Sequence, residues 1–400
     1  MHERGEDRPV RAWIDLDAVR HNARRAIDRA AGRSVIGVVK ANGYGHGADQ
    51  IARGLLAEGV SRLAVVSVAE GAALRRAGIV APVLLLGGLD DDEAAERALK
   101  WGLTPVIHDE RGFELARSFG RGDAPWAVEV EVDTGMHRMG VVPGIAPALL
   151  ARIRETPQLL LSGLFTHLAR ADESDPTPSR DQIDLLAGIH RRVAGVATGA
   201  SPIVHVANSA GLLRIDEIET AESGLVTRAV RPGLMLYGVS PFSDRSAESL
   251  DLEPVMSLAA RVVSVRPVAK GAGVGYGGEW RAPRDTRVAT LPLGYADGIP
   301  RALSDRGEVF LGGAMRPIVG RVSMDYFSVE IGHDGAVGVG DLATIFGRTP
   351  EGRRIPVENL ARAAGTIGYE LLVGVGARVP RQVGVGLPPS MDSAPLDPAV

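Results

Sequence analysis

The sequence predicts an α/β fold: an N-terminal (β/α)8 barrel of the TIM type, followed by a C-terminal, mostly antiparallel β domain. Short apolar runs alternate with amphipathic helical patterns, which implies parallel strands joined by right-handed crossovers. Eight such units fit into about 230 residues, the length of one closed barrel. Beyond residue 254 the hydrophobic period shortens to two and glycines fill the gaps, as in antiparallel sheets.

Taken in order, residues 10–16 read as a strand, and Asp17 can cap a helix running to about Ala30. The eight barrel runs lie at 34–40, 62–68, 82–88, 103–109, 126–133, 159–167, 203–209 and 227–238. Helical patterns at 47–58, 69–77, 90–101 and 180–196 fill intervals between them. A doubly wound open sheet is the competing arrangement, but no Gly-x-Gly-x-x-Gly follows a strand. The barrel is therefore assigned to 10–240 and a polar linker to 241–254. Alternating segments at 255–268, 287–293, 308–322, 326–331 and 341–346, with a helix near 356–364, assign the β domain to 255–386. The remainder, 387–400, opens with Leu387-Pro388-Pro389-Ser390 and reads as a disordered tail.

Bulk properties narrow the function. The chain has 400 residues, 45% of them hydrophobic, enough for two domains with large cores. A formal net charge of −4 leaves no polybasic footprint, so nucleic acid is not an expected partner. With no cysteine, disulfides, thiol chemistry and cysteine-based zinc sites are excluded, and no metal is expected. The start, Met1 to Pro9, is charged and lacks the apolar core of a signal peptide. No apolar run approaches the roughly 18 residues of a membrane span, so a cytoplasmic location is expected.

In a parallel barrel, chemistry sits where strands end. The first run, Val35-Ile36-Gly37-Val38-Val39, stops at Lys40, and a turn with Gly43, Gly45 and Gly47 follows, carrying Tyr44. The fifth delivers Glu131, Asp133 and Arg138; the sixth His167; the seventh Asn208 and Ser209; the eighth Arg231 and the turn at Gly233-Leu234. Singly, each has a plain structural reading: a solvated lysine, a satisfied histidine, a helix cap. Together they place one amine, one imidazole, two guanidinium groups and two small-residue turns on one rim. Barrel phosphate sites favour the loops after strands seven and eight. A phosphate site opposite a strand-one lysine suggests pyridoxal 5'-phosphate held as a Schiff base.

The chain resembles the alanine racemases, barrel-type pyridoxal-phosphate enzymes of bacterial cell-wall synthesis. The resemblance runs over about residues 10–385. It rests on Val39-Lys40-Ala41-Asn42-Gly43-Tyr44-Gly45-His46-Gly47, Asp133-Thr134-Gly135-Met136-His137-Arg138-Met139-Gly140, His205-Val206-Ala207-Asn208-Ser209-Ala210, Val230-Arg231-Pro232-Gly233, Val274-Gly275-Tyr276-Gly277, Gly320-Arg321-Val322-Ser323-Met324-Asp325 and Tyr369-Glu370-Leu371-Leu372. It implies interconversion of L- and D-alanine, supplying D-alanine for peptidoglycan. Lys40 would carry the cofactor and act as one base; Tyr276, from the partner subunit of an obligate homodimer, would be the other. Arg231 would face the pyridine nitrogen and hydrogen-bond to His167. Ser209, with Asn208 beside it, Gly233, Leu234, Tyr44 and Tyr369 would hold the phosphate. Arg138 and the Met324 backbone would hold the substrate carboxylate, with Asp325 lining the same site.

The chemistry is coherent with those roles, because racemisation needs a base on each face of the α-carbon. A tyrosine serves only as phenolate, at a cost of about 4 kcal/mol at pH 7 from its ordinary pKa of about 10. The chain departs from the family pattern at three positions. Glu131 stands where many relatives carry a carbamylated lysine, and is expected to orient Arg138 directly. His137 replaces a common glycine, and Ser323 a frequent cysteine. A broader-specificity racemase or a basic-amino-acid decarboxylase on the same scaffold is the alternative reading; such decarboxylases usually rely on a second-domain cysteine, absent here. A non-enzymatic cofactor carrier built on a lone barrel fits poorly with Tyr276, Met324 and Asp325.

Overall fold

A computed structural model describes residues 8–194, 201–219, 221–333 and 337–390. Strand β1 (Val10–Asp15) comes first, and the helix Leu16–Ala30 follows it directly. Asp15 caps that helix, not Asp17: its carboxylate accepts the Asp17 N–H at 2.9 Å. Asp17 lies in the first turn, where a negative charge suits the helix dipole.

Eight parallel strands then close into a barrel: β2 (Ser34–Val38), β3 (Arg62–Val65), β4 (Val83–Leu85), β5 (Leu103–Ile107), β6 (Trp126–Glu131), β7 (Leu159–Phe165), β8 (Ile203–His205) and β9 (Ala229–Val230). Each pairs with its neighbour in sequence, and β9 returns to β2. All eight coincide with the apolar runs of the sequence. Such runs are continuous, not alternating, because both strand faces are covered: Val83, Leu84 and Leu85 are all fully buried. Helices Ala48–Ala57, Val68–Arg76, Asp92–Lys100 and Thr177–Ala194 pack outside. Ser67 and Glu70 form a reciprocal capping box on the second of these, and Asp91 caps the third. Residues 195 and 196 of the last expected helix lie outside the described residues.

The second domain is built from β10 (Met256–Arg261), β11 (Ser264–Val268), β12 (Gly273–Val274), β13 (Trp280–Arg281), β14 (Thr286–Leu291), β15 (Glu308–Leu311), β16 (Ala314–Val319), β17 (Phe327–Glu330), β18 (Leu342–Arg348), β19 (Arg354–Ile355) and β20 (Arg381–Gly384). The main sheet runs β11-β14-β17-β16-β15-β18-β10-β1-β20, with β19 beside β18, while β12 and β13 form a separate hairpin. It is antiparallel except that β1 and β20 pair in parallel. Thus β1, first in the segment assigned to the barrel, is a strand of the second sheet. It pairs Val10 with Ala260 and Ile14 with Met256, stitching the chain's start to its C-terminal half.

The segment assigned as linker is partly packed. Phe242 and Leu252 are buried, and Asn22 Nδ2 donates to Glu253 O at 2.8 Å. Of the tail, residues 391–400 lie outside the described residues. Pro388 and Pro389 line a cleft with Trp13 and Arg11 of β1.

Candidate active site

The C-terminal ends of the barrel strands enclose a cavity of about 530 Å³. Its lining includes Lys40, Tyr44, Arg138, His167, Asn208, Ser209, Arg231, Gly233, Leu234 and Tyr369. Ten positions drawn from distant stretches of the sequence thus meet in one space.

Lys40 leaves the end of β2 on a turn of unusual geometry. Ala41, Asn42, Gly43, Tyr44 and Gly45 all have positive φ, between 51° and 84°. A left-handed backbone costs a non-glycine residue about 1–2 kcal/mol, so it needs outside support. Glu70 accepts the Ala41 N–H at 2.7 Å, Asn42 accepts the Ala48 N–H at 3.0 Å, and buried His46 bonds Tyr44 O at 2.8 Å through Nδ1. From the second domain, Arg381 Nε donates to Gly45 O at 3.1 Å. The turn aims the Lys40 amine into the cavity, where burial and then the Arg138 charge lower its pKa below the ordinary 10.5. The fraction of reactive, neutral amine rises accordingly.

The loops after β8 and β9 are tied through one hydroxyl. Ser209 Oγ accepts the N–H groups of Gly233 at 2.9 Å and Met235 at 3.3 Å. Both lone pairs are engaged, so its own proton is left to donate. Asn208 caps the next short helix through the Gly211 N–H at 2.9 Å. A Cβ at Gly233 would stand 2.5 Å from the Tyr44 hydroxyl, so only glycine lets that phenol reach over the loop. Burial raises the Tyr44 pKa and pushes Tyr369 up to about 12, keeping both phenols protonated donors.

Arg231 is fully enclosed. Its guanidinium lies over the Phe165 ring at 4.4 Å and donates to Thr166 O at 2.8 Å. Burial lowers its pKa to about 10, against the opposing pull of Glu131 and Glu129, and it stays charged at neutral pH. Its imidazole partner is His205, through Nδ1, and not His167. Both histidines end neighbouring strands, and sequence spacing does not say which one reaches Arg231. His167 faces the cavity as a neutral ring, its pKa lowered to about 3 by burial and then Arg231.

Glu131 also faces the cavity, but its partner is His108 Nε2, at 3.0 Å, and no bond joins it to Arg138. His108 follows β5, the strand next to β6, and reaches the carboxylate first. Asp133 instead organises the Arg138 loop, accepting the His137 N–H at 2.9 Å and the His137 ring at 3.2 Å. These bonds hold His137 at φ +54°, where a glycine would meet no steric penalty.

Tyr276, Met324 and Asp325 do not join this cavity within one chain. They lie on the second domain, Tyr276 72% and Met324 52% exposed, with Asp325 ion-paired to Arg378 at 2.6 Å. Sequence reasoning missed Glu129, Arg62, His205 and His108. For Glu129 the available signal was parity: Glu129 and Glu131 alternate along β6 and so share one of its faces.

A half-buried amine, a guanidinium and two protonated phenols lining one cavity define a class: barrel proteins with a reactive lysine facing a set of anion-binding donors. Comparison with known proteins narrows this class. The chain matches the family model for the alanine racemase N-terminal domain over residues 14–241 and that for its C-terminal domain over 255–383. It is 39% identical over 383 residues to an alanine racemase of Desulforamulus reducens, covering 93% of this chain and 98% of that protein. The crystal structure of the biosynthetic alanine racemase from Pseudomonas aeruginosa superposes with a TM-score of 0.85 at 37% identity, covering 94% and 99% of the two chains. That from D-cycloserine-producing Streptomyces lavendulae gives 0.88 at 33%, covering 95% and 98%. The chain belongs to the alanine racemase family.

Proposed function

We propose that this protein interconverts L- and D-alanine with pyridoxal 5'-phosphate bound in the barrel cavity, in the cytoplasm, supplying D-alanine for peptidoglycan. One observation carries the reading: in a chain of this family, Lys40, Arg231, Ser209, Tyr44 and Tyr369 line a single cavity. The donor set suits the cofactor. Ser209, Tyr44 and Tyr369 offer neutral O–H donors to a phosphate, beside the Gly233-Leu234 loop and Asn208. Lys40 supplies the amine for covalent attachment, and Arg231 the donor for the ring nitrogen. When bound, such a group supplies an electron sink that acidifies the substrate α-carbon.

The chain's own residues do the rest. Arg138, held near the rim by the Asp133 loop, takes the substrate carboxylate together with the Met324 backbone, and Asp325 lines the same site. Lys40, with its lowered pKa, exchanges a proton on one face of the α-carbon. Tyr276 does so on the other, reaching in from a partner subunit in a homodimer. Its exposure in the single chain supports that assignment, as do the neighbouring exposed Tyr295 and Tyr326. Among the described residues no helix is long and apolar enough to cross a membrane.

The test is chiral chromatography of a panel of L-amino acids incubated with the purified protein and pyridoxal phosphate. Alanine should be converted to the D-form, and most others should not. Release of carbon dioxide and an amine, or racemisation across the panel, overturns the reading.

A further inference from the structure

Barrel interiors are filled mainly by branched apolar side chains. This one carries a line of charge. Arg62, the first residue of β3, enters from the floor and donates through Nη2 to Glu129 Oε1 at 2.6 Å. Glu129, fully buried on β6, accepts at its other oxygen, Oε2, from His205 Nε2 at 2.8 Å. His205 ends β8 and meets Arg231 through Nδ1. Four side chains thus run from the barrel floor to the base of the cavity.

The barrel makes room for this line. The β6–β7 register sets Glu129 opposite Gly163, and a Cβ there would stand 2.7 Å from Glu129 Oε1. The line is also expensive to keep: Arg62 Nη1 is buried with no partner among the described residues. Donor chemistry fixes its protonation. Glu129, ionised between Arg62 and His205, only accepts, so His205 Nε2 carries hydrogen. Arg231 only donates, so Nδ1 must present a lone pair. The neutral Nε2–H tautomer alone satisfies both neighbours.

We propose that Glu129, anchored by Arg62, is a positioning residue: it holds His205 in the Nε2–H tautomer and through it sets the Arg231 guanidinium toward the cofactor ring nitrogen. The inference rests on the role given to Arg231 above. Glu129 touches neither substrate nor cofactor.

The test exploits the acceptor count. A carboxylate serves Arg62 and His205 at once, whereas the amide of E129Q has one acceptor oxygen. Arg62 takes it and the amide NH2 turns to His205, so that a donor faces each ring nitrogen and no neutral tautomer satisfies both Arg231 and residue 129. In the holoenzyme, nitrogen-15 spectra of labelled histidines, with the His205 signal assigned by His205→Asn, should show Nε2–H alone in the parent and the loss of that single form in E129Q. The kcat should fall about 10- to 100-fold, the range typical of lost outer-shell partners, with KM for alanine within about threefold. Parent tautomer and parent kcat in E129Q overturn the proposal. Should E129Q fail to fold, two uncharged pairs decide. R62M/E129Q frees the amide oxygen for His205 and should regain the Nε2–H form and most of kcat. R62M/E129M, with no acceptor to anchor the Nε2–H, should not regain kcat, and equal kcat in the two pairs overturns the proposal. Absence of racemisation by the parent would fell the functional reading alone, since the tautomer comparison still decides the role of Glu129.

Discussion

At the scale of single residues, the site is a set of groups moved from their ordinary behaviour by burial. Lys40 is the clearest. Desolvation disfavours its ammonium form, and Arg138 adds like-charge repulsion, both in the direction of neutral amine. Only that neutral form attacks a carbonyl carbon. The rate at which cofactor-free protein takes up pyridoxal phosphate, followed by absorbance, should therefore rise with pH and level off below the ordinary lysine value of 10.5. The sign for Arg138→Met follows directly. Removing the second cause leaves burial opposed by the Glu70 carboxylate, Lys40 becomes more basic, and the rising limb should move to higher pH. A limb that stays put would mean that Arg138 does not reach Lys40 electrostatically. His137 shows the same economy in the backbone. A non-glycine residue is tolerated at φ +54° because Asp133 receives both its N–H and its ring.

At the scale of elements, the left-handed turn Ala41–Gly45 is the joint between barrel and second domain. Gly45 is its tightest point: at φ +84° a Cβ would stand 2.5 Å from the Leu372 carbonyl oxygen, in the helix Gly368–Gly374 that also carries Tyr369. Gly45→Ala should cost at least about 2 kcal/mol, combining left-handed strain with a backbone clash. It should also weaken pyridoxal phosphate binding, because Lys40, Tyr44 and Tyr369 all hang from the displaced parts. Gly32→Ala is the control: its φ is similar, +85°, but nothing lies within 4 Å. It should lose about 1 kcal/mol and keep its cofactor affinity, as read by thermal melts and cofactor titration. Equal cofactor affinity in the two variants would show that the turn does not position the site. This turn also marks the limit of what the sequence discloses. The eight strands were legible because doubly covered strands are written as unbroken apolar runs. The positive φ of Ala41 and Tyr44 was not, because the turn is supported by Glu70 and Arg381, which are remote in sequence. For the same reason β1 could be recognised as a strand but not assigned to its sheet: an apolar hexapeptide does not name its partner. His205 could not be told from His167, since both simply end neighbouring strands.

At the scale of the whole molecule, the dominant feature is that the residues proposed for the site divide between the barrel rim and an exposed face of the second domain. The barrel rim supplies the Lys40 amine, the donors proposed to cradle the cofactor and Arg138, proposed to take the substrate carboxylate. The residues that would close it, Tyr276 and Met324, stand exposed on the second domain beside Tyr295 and Tyr326. The backbone binds the Tyr295 and Met324 segments to one another: the Tyr295 N–H donates to Ser323 O at 3.0 Å and that of Ala296 to Met324 O at 3.1 Å. Large aromatic and methionine side chains exposed on such a scaffold suit an interface more than a solvated surface. A two-fold axis would turn one face into two equivalent covers, each chain capping its partner's barrel and excluding water from it. The arrangement is decided by complementation. Lys40→Ala and Tyr276→Phe should each be nearly inactive alone. When they are mixed in equal amounts, dissociated and allowed to reassociate at random, about half of the dimers should be mixed, with one of their two composite sites intact. Activity should then return to about a quarter of the parent value. If each chain instead built its whole site from its own residues, every site in the mixture would still carry one lesion and no activity would return.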